Sequence, residues 1–169
     1  MQAAMAKMME FTQPGELHEV LGRFVGEWDT VTRFTMGGAT SPGAKGSATT
    51  TWLHPGRWIQ TSWTSPMMGM KIDGTSLMGY DNFKKSFVAT TVSTMDTAMN
   101  HTEGDLNRDG SVLLLYGTID EYLDGQHDKM SKTVYRFVDE DKILMEVHDF
   151  TIGEENTQVV EVEFTRKGS

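Results

Sequence analysis

The chain has 169 residues, of which 38% are hydrophobic and 23% charged, a balance that supports one folded domain with a sizeable core and excludes global disorder. It contains no cysteine, which removes disulfide scaffolds, thiolate metal sites and cysteine nucleophiles together. A net charge of −9 at pH 7, without any local run of Lys and Arg, argues against nucleic acid and anionic membrane surfaces as partners.

Met1–Glu10 carries a single Lys with Met5, Met8 and Met9 but no sustained apolar run, so it does not read as a signal peptide. No stretch approaches the roughly 20 apolar residues needed to cross a bilayer, and the expected location is the cytoplasm. Residues 1–11 read as a flexible or helical extension. Beyond them, Pro14 suits a first turn, Glu16 and Glu19 suit the positive end of a helix dipole, and Leu17, Leu21, Phe24 and Val25 recur on one face. A short helix is therefore expected, ended by Gly26.

From Trp28 onward the period changes to two. The alternation predicts strands at Trp28–Met36, Ser47–Leu53, Trp58–Ser65, Thr75–Tyr80, Ser86–Met95, Asn100–Leu106, Ser111–Ile119, Ser131–Val138, Ile143–Phe150 and Val159–Arg166. Asp73-Gly74, Asp109-Gly110 and Asp124-Gly125 read as hairpin turns, and Pro42-Gly43 and Pro55-Gly56 as further turns. About ten short strands without intervening helices imply an antiparallel meander. Closing that meander into a barrel removes its edges and leaves room for one small ligand.

The segment Leu21-Gly22-Arg23-Phe24-Val25-Gly26-Glu27-Trp28 resembles the Gly-x-Trp opening of lipocalin-like barrels, the calycins. The resemblance implies that Gly26 and Trp28 close one end beneath a short helix, with Arg166, from Phe164-Thr165-Arg166-Lys167, over the indole. Nearly the whole chain is also similar to a bacterial family of unknown function, domain 1579. The matching stretches are Val25-Gly26-Glu27-Trp28, Trp52-Leu53-His54-Pro55-Gly56-Arg57-Trp58, Met68-Gly69-Met70, Gly79-Tyr80-Asp81-Asn82-Phe83-Lys84-Lys85, Thr102-Glu103-Gly104, Arg136-Phe137-Val138-Asp139 and Glu163-Phe164-Thr165-Arg166-Lys167. That membership implies an all-β, lipocalin-like barrel over residues 12–169 and says little about activity. His54-Pro55 and His148 depart from the family's pattern, so neither histidine suits a family-wide site.

The chemistry-bearing candidates are few. Parity in the last strand sends Val160, Val162 and Phe164 with Arg166 inward, whereas on Trp58–Ser65 the set with Gln60 and the set with Trp63 are both open. Arg136 and Glu146 share a face if the connection between their strands has three residues. They could then orient a polar head group, or form a structural ion pair. Glu146 and His148, two apart on one strand, are the candidate acid and base of a lumen isomerase, cyclase or hydrolase. His148 is also the one histidine placed for a haem-binding alternative. No Gly-x-Ser-x-Gly elbow occurs, Asp105–Gly110 lacks the bidentate Glu of a calcium loop, and no metal is expected.

The 13 methionines exceed ordinary usage. Ser65-Pro66-Met67-Met68-Gly69-Met70 forms an apolar connection that suits a portal or a homodimer contact. The leading expectation is a protein that binds a small, mostly apolar molecule in the barrel lumen and carries no resident cofactor. Its candidate ligand contacts are Trp52, Gln60, Met70, Tyr80, Tyr116, Arg136, Glu146 and His148.

Overall fold

The computed structural model describes residues 1–36, 38–67, 69–120, 125–150 and 157–168. Helix α1, Gln2–Thr12, buries none of its residues. Its end is fastened where Phe11 stacks on Phe83, with ring centroids 4.9 Å apart, and where Arg57 Nη1 donates to the Thr12 carbonyl. Helix α2, Glu16–Glu19, runs into a 3₁₀ turn at Val20–Phe24, which delivers Leu21 and Phe24 to the core. The expected helix is thus present in shorter form and tightens at its C-terminal half.

Eleven strands follow: β1 Gly26–Met36, β2 Ala39–Thr40, β3 Ala44–His54, β4 Trp58–Met67, β5 Met70–Asp81 and β6 Ser86–Ser93, then β7 Asn100–Leu106, β8 Val112–Ile119, β9 Lys129–Phe137, β10 Lys142–Asp149 and β11 Gln158–Arg166. All pair antiparallel in a meander, and β11 pairs back onto β1 from Trp28↔Arg166 to Phe34↔Val160. Ten strands therefore form a closed barrel, with the two-residue β2 attached to β1. Closure satisfies the backbone donors and acceptors that an open sheet would leave at its two edges.

One predicted turn moves. Asp73-Gly74 is no hairpin, because β5 runs through it and pairs with β4 from Trp58↔Gly79 to Met67↔Met70. The reversal sits in the methionine segment instead, where Gly69 has φ +78°. Met68 lies outside the described residues. Gly74 serves a packing purpose: the Trp63 ring lies over it, and a Cβ there would stand 2.1 Å from Trp63 Cζ2. Asp109-Gly110 does turn, with the Asp109 carboxylate accepting from the Ser111 backbone N–H at 2.9 Å. Asp124 of the Asp124-Gly125 pair lies outside the described residues.

Strand alternation separates two ends. The N-terminal helices and the β3–β4, β5–β6, β7–β8 and β9–β10 connections lie at one end, with Trp28 and Arg166. The β4–β5 hairpin tip and the β6–β7, β8–β9 and β10–β11 connections lie at the other. The core cluster of Leu21, Phe24, Trp28, Ile59, Phe87 and Leu113 fills the first end and, among the described residues, leaves the second open.

Candidate functional site

The closed end is built around one indole. Trp28 is buried, donates from Nε1 to the Phe24 carbonyl at 2.9 Å, and meets Phe164 edge-on. The Arg166 guanidinium lies 4.2 Å over its ring. The same guanidinium donates to the carbonyls of Val25 (2.8 Å), Arg23 (3.3 Å) and Glu140 (3.2 Å), so one side chain ties the 3₁₀ turn and the β9–β10 connection to the last strand. Gly26 makes the approach feasible. Its φ is +142°, and a Cβ would lie 2.3 Å from Arg166 Nη1.

Histidine 18 completes this floor. It is buried, accepts the Gly15 backbone N–H on Nδ1 at 3.0 Å, and sits edge-on to Tyr80 at 5.5 Å. Burial pushes its pKa below the ordinary histidine value, and the neutral form is the one whose Nδ1 can accept. Trp52 packs nearby against Gly22 and the core cluster, and Tyr80 meets Phe87 at 5.0 Å. Both residues therefore belong to the floor.

Above the floor lies a cavity of about 370 Å³ enclosed by the strands. Its lower wall is apolar, formed by Phe24, Ile59, Met78, Ile143, Val162 and Phe164. Higher up, a belt of hydroxyls is interleaved with Phe34, Ile72, Met145, Val147 and Val160, and several of the hydroxyls bond to one another: Thr50 with Thr61 at 2.7 Å, Ser65 with Thr32 at 3.1 Å, Ser76 with Thr91 at 2.8 Å. Such pairs line a pocket with oxygen while leaving few unmet hydrogen bonds. Tyr135 also lines the cavity, its ring edge-on to Phe24 at 5.2 Å.

At the open end a buried ion pair joins the first residue of β9 to the last of β10. Lys129 Nζ lies 2.8 Å from Asp149 Oδ2, with side chains only 9% and 2% exposed. Both residues share parity with lining neighbours, Ser131 and Val147, so the pair faces inward. Charges this deeply buried are tolerable because each neutralises the other.

Several sequence-predicted contacts fall elsewhere. Ile59, Thr61 and Trp63 line the cavity, so Gln60, of opposite parity, faces out. Ile143, Met145 and Val147 likewise line it, which turns Glu146 and His148 outward. Tyr116 is 45% exposed on the outer wall. Arg136 and Glu146 do share a face, since the register pairs Arg136 with Leu144 and Val134 with Glu146, making them diagonal neighbours. Arg136 Nε and Nη2 each reach Glu146 Oε2 at 3.1 Å.

His148 Nε2 stands 3.8 Å from the same carboxylate oxygen, and its Nδ1 lies 3.0 Å from Thr157 Oγ1. Burial first, then Lys132, lowers its pKa, with Glu146 opposing. The pair thus stands outside the lumen in which the acid–base and haem readings placed it. Met70 projects into solvent at the hairpin tip, while its cross-strand partner Met67 lines the cavity.

Sequence reasoning passed over Tyr135, the hydroxyl belt, His18 and the Lys129–Asp149 pair. Alternation along Ser131, Thr133, Tyr135 and Phe137 carried the signal for the first two. Nothing local marked the ion pair, whose partners meet only through strand register.

Among solved structures, the chain resembles an S-type phycobiliprotein lyase from Guillardia theta, with a TM-score of 0.56 and 12% identity over 96% of this chain and 97% of that one. At that identity the likeness is one of fold. No curated protein matches the sequence. The family model described as "Protein of unknown function (DUF1579)" matches residues 13–166, and this lipocalin-like barrel belongs to that family.

Proposed function

We propose that the protein binds a small, mostly apolar molecule in the barrel lumen. The observation that carries this reading is the 370 Å³ cavity, closed below by the Trp28 floor and lined by apolar and hydroxyl side chains. Access runs past the open end, where Met36, Met70, Met99 and Met130 each expose more than half of their surface. Flexible thioethers at a mouth suit the passage of apolar molecules of varied shape. Similarity to a lyase barrel supports a lumen used for a small molecule, while the outward Glu146 and His148 favour binding over acid–base chemistry within it.

Native mass spectrometry of the full chain, purified without organic extraction and compared with its denatured mass, tests the reading. Wild type is expected to retain a small molecule that Thr133→Trp, which fills the lumen, does not. Retention by both proteins would place the ligand elsewhere. A clean apo mass, together with no uptake of a neutral naphthalene probe, would overturn lumen binding altogether.

A further inference from the structure

We propose that the lumen selects uncharged molecules that present a hydrogen-bond acceptor, such as a ketone or aldehyde oxygen, to Tyr135, and that it discriminates against carboxylates. This rests on the lumen being the binding site and names the class of molecule it takes.

The first observation is the charge of the wall. Among the described residues lining the cavity there is no Lys, Arg or His, and the one acidic side chain is Asp96 near the mouth. Asp96 also caps its own loop, accepting the Ala98 backbone N–H at 2.9 Å. The inward-facing cation, Lys129, is held against Asp149 and contributes no surface to the cavity. A carboxylate entering this lumen would exchange water for a low-dielectric wall without a countercharge and would pass an aspartate on the way. Fatty acids and porphyrins carry that group, whereas neutral carbonyl compounds of similar skeleton do not.

The second observation is Tyr135. It lines the cavity beside Phe24 at the lower end, and no described residue hydrogen-bonds to its hydroxyl. Several threonine and serine hydroxyls of the belt already bond to one another. Burial pushes the phenol up to about 12, so it keeps its proton and acts as a donor at neutral pH. A donor beside aromatic rings matches a flat or ring-bearing molecule ending in a carbonyl.

Fluorescence titration with three matched probes tests both parts: 6-acetyl-2-dimethylaminonaphthalene, the anionic 6-dimethylamino-2-naphthoate, and 2-dimethylaminonaphthalene, which lacks the carbonyl acceptor. The ketone is expected to bind with blue-shifted emission and energy transfer from tryptophan. The naphthoate is expected to bind at least about tenfold more weakly at pH 7.5. Tyr135→Phe should weaken the ketone by roughly 2- to 12-fold, the size of one net hydrogen bond, and leave the carbonyl-free amine within about twofold.

Naphthoate binding as tightly as the ketone would overturn the charge selection while leaving lumen binding intact. An unchanged ketone affinity in a folded Tyr135→Phe variant would overturn the role of Tyr135. Failure of all three probes to bind would instead sink the lumen reading beneath both.

Discussion

The two ends of the barrel use the same alternating strands for opposite purposes. At the closed end the polar groups beneath the core are spoken for: Trp28 Nε1, the Arg166 guanidinium and His18 Nδ1 meet backbone or ring partners, and the apolar side chains interlock. At the open end the inward positions mix Thr and Ser with Phe34, Ile72, Val147 and Val160, the rim carries half-exposed methionines, and the side chains leave a cavity between them. Dense, fully satisfied packing stores stability, whereas a cavity gives up dispersion contacts that a ligand can restore. The contrast shows how one fold separates the region that holds it together from the region free to vary with a ligand.

The comparison is sharpest where the expected effects are largest. Trp28→Ala should destabilise the protein by about 3–5 kcal/mol in urea unfolding, because it empties the centre of the floor and strands the Arg166 guanidinium. Thr133→Ala, in the lumen wall, should stay within about 1 kcal/mol of wild type. Equal costs for the two would break the distinction between the ends.

The open end contains one exception to its looseness. Asp149→Asn should cost roughly 3–5 kcal/mol by removing the carboxylate charge 2.8 Å from the buried Lys129, whereas Lys129→Met with Asp149→Leu should cost less than the single substitution. A mild single substitution would mean that the pair is better solvated than its burial indicates.

The smallest expected effect is a pH dependence belonging to the closed end. The folded pKa of His18 lies below its unfolded value, so the folded chain binds fewer protons there, and stability present above about pH 6.5 is lost as pH falls below it. His148 acts with the same sign, and the exposed His127, whose pKa Asp128 raises, with the opposite one. Subtracting the urea midpoints of His18→Gln from those of wild type between pH 8 and pH 5 cancels both. The difference should grow less favourable to wild type on acidification, and a flat difference would remove His18 from the account.

Much of the architecture was legible in the residues, and the places where it was not have physical causes. Period-two runs of Thr, Val, Phe and Trp marked ten of the strands, and Gly26, Trp28 and Arg166 were legible as a closure through the resemblance of their segments to calycin barrels. Asp73-Gly74 misled because its dipeptide chemistry suits a turn, while the actual requirement on Gly74 comes from Trp63 across the strand pair. The polar anchors Gln60, Tyr116, Arg136 and Glu146 were chosen for their chemistry, and a one-residue difference in parity carries each of them to the outer wall.

The sequence by itself therefore determined the class of fold and the order of its strands, since periodicity and turn chemistry are local properties, and the closure residues followed from the resemblance of their motif to calycin barrels. Only the tertiary structure decided which face of each strand looks inward, how Lys129 finds Asp149, and that the lumen presents hydroxyls and Tyr135, with no cation among the described residues that line it. Those features depend on the registers of ten paired strands at once, and a register is set by the sum of packing around the whole barrel rather than by any one segment.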